Sequence, residues 1–178
     1  NNAFGQLGNE TTADSSMPVC ISDIESSPLK EKNIVDVYNY GSTIIAKDSS
    51  GKLYTWGRNY YGKLGNGTTY DSSMPICISK VEGSPLKEKN IVKIYTGDDT
   101  IIAKDSDGKL YSWGNNDYGQ LGDGTTTNSN IPICISDIEN SELKNKKIKN
   151  VEYGGNTYYC YITVSGELYR YFYVRPAE

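Results

Sequence analysis

The sequence predicts an all-β chain assembled from about three copies of one four-stranded unit. Three observations carry that expectation. Gly8, Gly65 and Gly122 follow one another at a fixed step of 57 residues, and Pro18, Pro75, Pro132 and Cys20, Cys77, Cys134 keep the same step. Within each copy, short runs dominated by β-branched and aromatic residues recur at matching places, as strands on a packed face require. Gly-containing turns separate the runs. The repeats run 1–57, 58–114 and 115–178 within one segment, the last of them atypical.

The first run is Met17–Ser22, copied at Met74–Ser79 and Ile131–Ser136. Val19 and Ile21 point to one side and Cys20 to the other, by the period of two. A proline near the strand start is tolerated because it need not donate there. The second run is Ile34–Tyr38, with copies at 91–95 and 148–152, and the third is Thr43–Lys47, with copies at 100–104 and 157–161. The fourth is Lys52–Trp56, copied at Lys109–Trp113 and from Glu167 to about Tyr173. Asp48-Ser49-Ser50-Gly51 and Asp105-Ser106-Asp107-Gly108 join the third and fourth runs as tight hairpins. Between the first and second lies Ser27-Pro28-Leu29-Lys30-Glu31-Lys32, where Ser before Pro suits the cap of one helical turn. Leu29, Leu86 and Leu143 are expected to pin that loop to the strands. Four antiparallel strands repeated radially form a β-propeller blade. Three blades leave strand edges open, so the expectation is a partial propeller, or one assembled from more than one chain. The opening in mid-repeat points to further blades upstream.

The recurring motif has a recognisable form. Trp-Gly-x-Asn-x-Tyr-Gly-Gln-Leu-Gly, a later Pro, Thr-Ile-Ile-Ala and Asp-Gly-x-Leu-Tyr-x-Trp-Gly resemble the regulator of chromosome condensation repeat family over nearly the whole chain, and a bacterial form of it. The resemblance implies a propeller, usually of seven blades, that works through its loops. It also implies, as an alternative, guanine-nucleotide exchange on a small GTPase, for which no residue here is assigned. The chain departs from the family at Ser42, Asp99 and Asn156, where a His usually precedes the third strand. It departs again in the last repeat, where Tyr158-Tyr159-Cys160-Tyr161 replaces Ile-Ile-Ala-Lys and Tyr171-Phe172 replaces Trp-Gly.

Charge and composition narrow the function classes. The net charge is −4, and Lys and Arg form no stripe, which argues against nucleic acid as a partner. The apolar runs are too short for membrane insertion by a helix. Little Ala with much Asn, Lys, Ile and Tyr suggests a low-GC bacterium; composition leaves the compartment open, and a cell-surface or secreted location goes with the surface-protein alternative below. The chain has 4 Cys and no His. Copies in neighbouring blades stand too far apart for a disulfide, and no Cys-x-x-Cys pair exists for zinc. Four small buried thiols are the expectation.

No catalytic constellation, cofactor or metal site emerges. The loops Gly62–Gly67 and Gly119–Gly124 lack the Lys-Ser/Thr ending of a phosphate-binding loop. Asp105–Gly108 and Asn115–Asp117 resemble calcium loops faintly but lack the bidentate Glu. Asp98 and Asp99 are adjacent, with no facing carboxyl to complete a glycosidase pair, and without His the usual Ser nucleophile has no base. Comparison among repeats says more. Phe4, Tyr61 and Tyr118 are aromatic in every copy and are assigned to packing between blades, as Trp56 and Trp113 are to the core. Other loop positions vary. Asn1, Arg58 and Asn115 are equivalent, as are Ala3, Tyr60 and Asp117, and Ala13, Tyr70 and Thr127. Tyr and Arg anchor protein interfaces, so Arg58, Tyr60, Tyr70 and Asp117 are the expected partner-binding residues, with Asp98 and Asp99 as weaker additions. The expected function is non-enzymatic recognition of a protein through these loops. The alternatives are the exchange activity, or a structural or carbohydrate-binding array in a bacterial surface protein with Tyr60 and Tyr70 as stacking platforms. Open blade edges point also to self-association.

Overall fold

The computed structural model describes residues 1–97, 99–154 and 158–172. Asp98, Asn156 and the Tyr173–Val174 end of the last expected strand lie outside them, as does the Cys160 side chain.

Among the described residues, eleven strands form three antiparallel sheets. In chain order they are β1 (Ile34–Tyr40), β2 (Thr43–Asp48), β3 (Leu53–Gly57), β4 (Ser72–Cys77), β5 (Ile91–Gly97), β6 (Thr100–Asp105), β7 (Leu110–Gly114), β8 (Ser129–Cys134), β9 (Ile148–Gly154), β10 (Tyr158–Thr163) and β11 (Leu168–Phe172). The sheet orders are β1-β2-β3-β4, β5-β6-β7-β8 and β9-β10-β11. These are propeller blades.

The hairpins form as the sequence demands. Asp48 Oδ1 accepts from the Ser50 and Lys52 amides at 2.9 and 3.0 Å and Oδ2 accepts from the Tyr54 hydroxyl at 3.0 Å. Asp105 accepts from the Asp107 and Lys109 amides and from the Tyr111 hydroxyl in the same way. The carboxylate that faintly suggested a calcium ligand is thus the lock of a turn. Leu29, Leu86 and Leu143 are buried, pinning the Ser-x-Leu loops as expected. Ser27, Ser84 and Ser141 each cap the amide two residues on, within a turn rather than a helix.

The phase of the blades differs from the order of the runs. The copies of the first run, β4 and β8, pair with the strand that precedes them, through Tyr54↔Cys77 and Tyr111↔Cys134. Each closes the previous blade from outside. Met17–Ser22 forms no strand: among the described residues no strand stands at the place where β3 and β7 pair with the other copies. Cys20 is exposed in consequence, Cys77 is buried and Cys134 is half-buried, which corrects the expectation of uniformly buried thiols.

Two cores lie between the blades. Ile45, Leu53 and Ile78 of the first sheet pack with Leu86, Ile91, Ile94, Ile101, Tyr111 and Trp113 of the second. Ile102, Leu110 and Ile135 pack with Leu143, Ile148 and Val151 of the third. Each fully buried aliphatic side chain here contributes about 1.5–3 kcal/mol, against about 0–1 for a surface ion pair, so blade stacking is mainly apolar. Register shifts leave Val92 as an extra residue on β5, and Lys47 of the first blade donates to its carbonyl at 3.3 Å; Lys104 serves Lys149 likewise at 2.6 Å. These lysines staple one blade to the bulge of the next.

Candidate functional site

The turns β1–β2 and β5–β6 and the long loops β3–β4 and β7–β8 leave the sheets at the same strand ends, so they share one face. Arg58, Tyr60, Tyr70, Asp117 and Asp99 all belong to it.

A buried asparagine organises each long loop. Asn59 Oδ1 accepts from the Leu64 amide at 2.8 Å, and its Nδ2 donates to the Thr68 and Tyr70 carbonyls at 3.0 and 2.9 Å. The Asn59 amide donates to Asp71 Oδ1 at 2.7 Å. Asn2 and Asn116 repeat the pattern on Leu7, Thr11, Ala13 and on Leu121, Thr125, Thr127. Their identity in all three copies is the signal that marks this hub in the sequence. The first two of these loops also rest on a tryptophan: Trp113 Nε1 donates to the Lys63 carbonyl at 2.8 Å, and Trp56 Nε1 to the Gln6 carbonyl at 3.0 Å. A Cβ on Gly65 would stand 2.9 Å from Trp113 Nε1. That glycine is required by close approach, and the Gly-rich loop is committed to packing.

The second repeat departs from the other two at two places. In the first and third repeats, Asn1 and Asn115 Oδ1 accept from the amides of Ala3 and Asp117, at 3.0 and 2.8 Å. Gln6 and Gln120 Oε1 accept from Phe4 and Tyr118, at 3.0 and 2.8 Å. Arg58 and Lys63 stand at those positions in the second repeat, and neither side chain can accept. The loop turns differently there. Tyr60–Gly62 form one 3₁₀ turn with Tyr61 at φ +61, a conformation uncommon for a bulky residue.

The two cations are used elsewhere. The Arg58 guanidinium lies 4.9 Å from the Phe4 ring centroid and 5.4 Å from that of Tyr60, each a cation–π distance. Its backbone is fixed on both sides, with N–H donating to Ser42 O at 2.9 Å and C=O accepting from Thr43 Oγ1 at 2.6 Å. Lys63 turns inward to Asp99 in the β5–β6 turn, at 2.7 Å, with 6% and 35% of the two side chains exposed. Tyr40 flanks this pair, its ring 5.4 Å from Lys63 Nζ and its hydroxyl accepting from the Asp99 amide at 3.4 Å.

Tyr60 and Tyr61 rings meet at 4.0 Å between centroids, tilted by 54°. Together with Thr69, Asn128 and Asn130 they line a groove of about 470 Å³ between the first two blades. Hydrogen bonding to Tyr60, some burial and the negative charges of Asp117 and Asp99 push the Tyr61 hydroxyl up to about 12. The structure thus brings Arg58 and Tyr60 into contact and sets Asp117 within electrostatic reach through Tyr61. Tyr70 gives its carbonyl to the Asn59 hub while its ring is 81% exposed. Of the three repeated aromatics assigned to packing between blades, Phe4 and Tyr61 do meet the neighbouring repeat, and Tyr118 departs from that expectation. Phe4 is the platform for Arg58, Tyr61 lines the groove, and Tyr118 is 45% exposed. A Cβ on Gly62 would meet Asn130 Cα at 2.6 Å, whereas one on Gly119 would find only the Thr125 carbonyl, at 3.6 Å. Among the described residues, no outer strand stands beside the third loop to cover Tyr118.

Comparison with known proteins agrees with this architecture. The family model described as regulator of chromosome condensation (RCC1) repeat matches residues 50–103 and 107–160. The human E3 ubiquitin-protein ligase HERC2 is 28% identical over 93% of this chain, which spans 3% of that protein. The ultraviolet-B receptor UVR8 of Arabidopsis thaliana is 30% identical over 93% of this chain, which spans 34% of it. The crystal structure of human WBSCR16 aligns with a TM-score of 0.71 and 23% identity, over 97% of this chain and 41% of that one. Yeast RCC1 (Prp20), solved with Kap60 bound, aligns at 0.59 and 19% identity, over 78% and 32%. These relatives are eukaryotic, and the chain covers only part of each. With two matched repeats and the propeller blades they encode, the chain belongs to the regulator of chromosome condensation (RCC1) repeat family.

Proposed function

We propose that this chain is a non-enzymatic protein-recognition segment of a propeller, and that it engages its partner through the loop face bearing Arg58, Tyr60, Tyr70 and Asp117. The observation that carries this reading is the Arg58 guanidinium stacked on Phe4 and Tyr60 beside the Tyr60–Tyr61 groove. Arg and Tyr are the side chains that dominate interface energetics. The Asn59 hub and the pinned Arg58 backbone hold them with little ordering cost left for binding. Yeast RCC1, which shares the fold, has been solved with a protein bound.

Self-association belongs to the proposal. Val37 of β1 is 62% exposed, whereas its counterparts Ile94 and Val151 are 4% and 3% exposed beneath the preceding blade. A second copy or further blades would cover that face. The repeat limits 1–57, 58–114 and 115–178, the bacterial setting drawn from composition, and the surface or secreted location are part of the same reading.

The test is a photo-crosslinking amino acid placed at Tyr70 and, as a control on the opposite ends of the strands, at Ser106. Crosslinking of one protein from Tyr70, abolished by Tyr60→Ala, supports the reading. Equal yield from Ser106 would refute it.

A further inference from the structure

The second repeat has exchanged two neutral acceptors for cations, and the site so formed has the composition of an anion receptor. Arg58 makes no ion pair among the described residues; its contacts are the faces of Phe4 and Tyr60. These cation–π contacts occupy none of its N–H groups with an oxygen acceptor, and a guanidinium with that donor capacity meets a carboxylate in a bidentate fork. Beside it, the loop that lost its Asn and Gln acceptors carries two backbone donors. In the first and third repeats the amides equivalent to those of Tyr60 and Tyr61 are bonded to side chains. The Tyr60 and Tyr61 amides meet no acceptor among the described residues. A helical residue followed by one at φ +61 turns successive N–H groups toward one side, a concavity that suits an anion.

We infer that Arg58 and the Tyr60 and Tyr61 amides form a receptor for a single carboxylate, from an Asp or Glu of a protein partner, whose neighbouring side chain enters the Tyr60–Tyr61 groove. The inference rests on the loop-face reading above and gives it a partner chemistry. Asp99 does not compete for the site, because Lys63 holds it at 2.7 Å. Asp117 does set a limit: its charge reaches the hydroxyl of Tyr61, which lines the groove. A run of acidic residues would be repelled there. The fitting segment has one carboxylate at the Arg58 end and neutral or basic residues beyond it. The third repeat, with Asn115 and Gln120 still accepting from the Asp117 and Tyr118 amides, offers no such pair of donors.

The experiment is selection of a displayed random peptide library on the whole chain, followed by a double-mutant cycle between Arg58 and the acidic residue of the selected peptide. Arg58→Gln and the peptide's Glu→Gln change should each weaken binding about tenfold, and the two together little more than either alone, as for a charge-assisted pair. Arg58→Lys should recover only part of the loss, since a point charge lacks the fork. Additive effects, or indifference to both changes, overturn the carboxylate receptor. A peptide with phosphoserine in place of Glu that binds more tightly makes phosphate the anion, and also overturns it. If binding ignores Arg58→Gln but is lost in Tyr60→Ala, the receptor falls and the loop-face reading stands. If no loop variant changes binding, or no peptide is selected, both fall.

Discussion

Changing the Lys63–Asp99 pair one partner at a time should give unequal losses of stability. The two groups lie 2.7 Å apart, but 6% of the Lys63 side chain is exposed against 35% of Asp99. Asp99→Asn leaves an ammonium group without its counter-ion in a nearly water-free position, with the Tyr40 ring 5.4 Å away as its remaining electrostatic support. Breaking a fully buried pair this way costs about 3–5 kcal/mol, and an exposed pair about 0–1. The half-buried geometry places Asp99→Asn at about 2–3 kcal/mol. Backbone strain does not confuse the comparison, because residue 99 has φ +59 and Asn tolerates that region as well as Asp does. Lys63→Gln leaves instead a carboxylate that water can reach. It also restores the acceptor with which Gln6 and Gln120 hold the Phe4 and Tyr118 amides. Its expected cost is about 1 kcal/mol or less. Urea unfolding, with midpoints converted through a shared slope, reads both values. Equal losses, or a larger one for Lys63→Gln, would refute the reasoning that burial of the cation decides the energetics.

Two further outcomes follow from the loop and the hairpin. Asn59→Ala strands the buried Leu64 amide and the part-buried Thr68 and Tyr70 carbonyls together, and should cost about 3–4 kcal/mol, with the buried amide at the upper end of about 1–3 and the two carbonyls, which water can reach, well below it, measured by the same unfolding assay. Asp48 is subject to burial, which opposes its charge, but hydrogen bonds from Ser50, Lys52 and Tyr54 outweigh it and hold its carboxyl below the ordinary 3.8. A depressed folded-state value means stabilisation that is present above pH 3.8 and lost as pH falls through the folded value. Asp48→Asn should therefore flatten the decline of stability below pH 3.8, followed by unfolding across an acid series; an unchanged decline would count against the assignment.

What the sequence disclosed divides along physical lines. The period of two and the 57-residue step locate β1 to β9 to within two residues or so, because burial on a sheet face dictates residue type locally. Which strands share a sheet is not a local property. Met17–Ser22 has the composition of β4 and β8 but no neighbour to pair with, and its residues alone do not reveal that. The site was legible in the same uneven way. Arg58 and Tyr60 stood out because they vary, and their contact follows from nearness in one loop. Phe4 and Tyr61 looked structural because every repeat has an aromatic there. Their use in the second repeat depends on a different residue, Lys63, whose substitution for Gln frees the Tyr61 amide and redirects the loop. Lys63 against Gln6 and Gln120 was visible in the sequence. Its consequence was not, because the chemical difference lies in a lost acceptor and a new partner in the next blade. Tyr70 varies too, yet its ring remains apart from the cluster, so variability alone does not assemble a surface.

The most direct measurement of the central claim is the affinity of the protein crosslinked from Tyr70, titrated by calorimetry against the unchanged chain, Tyr60→Ala and Lys109→Ala. Lys109 pairs with Asp137 on the opposite face, both carboxylate oxygens at 2.8 Å. Recognition through the loop face should cost Tyr60→Ala about tenfold or more, as for an interface anchor, and Lys109→Ala less than about twofold, as for an exposed ion pair outside the interface. Undiminished binding by Tyr60→Ala, or a dominant effect of Lys109→Ala, would contradict it.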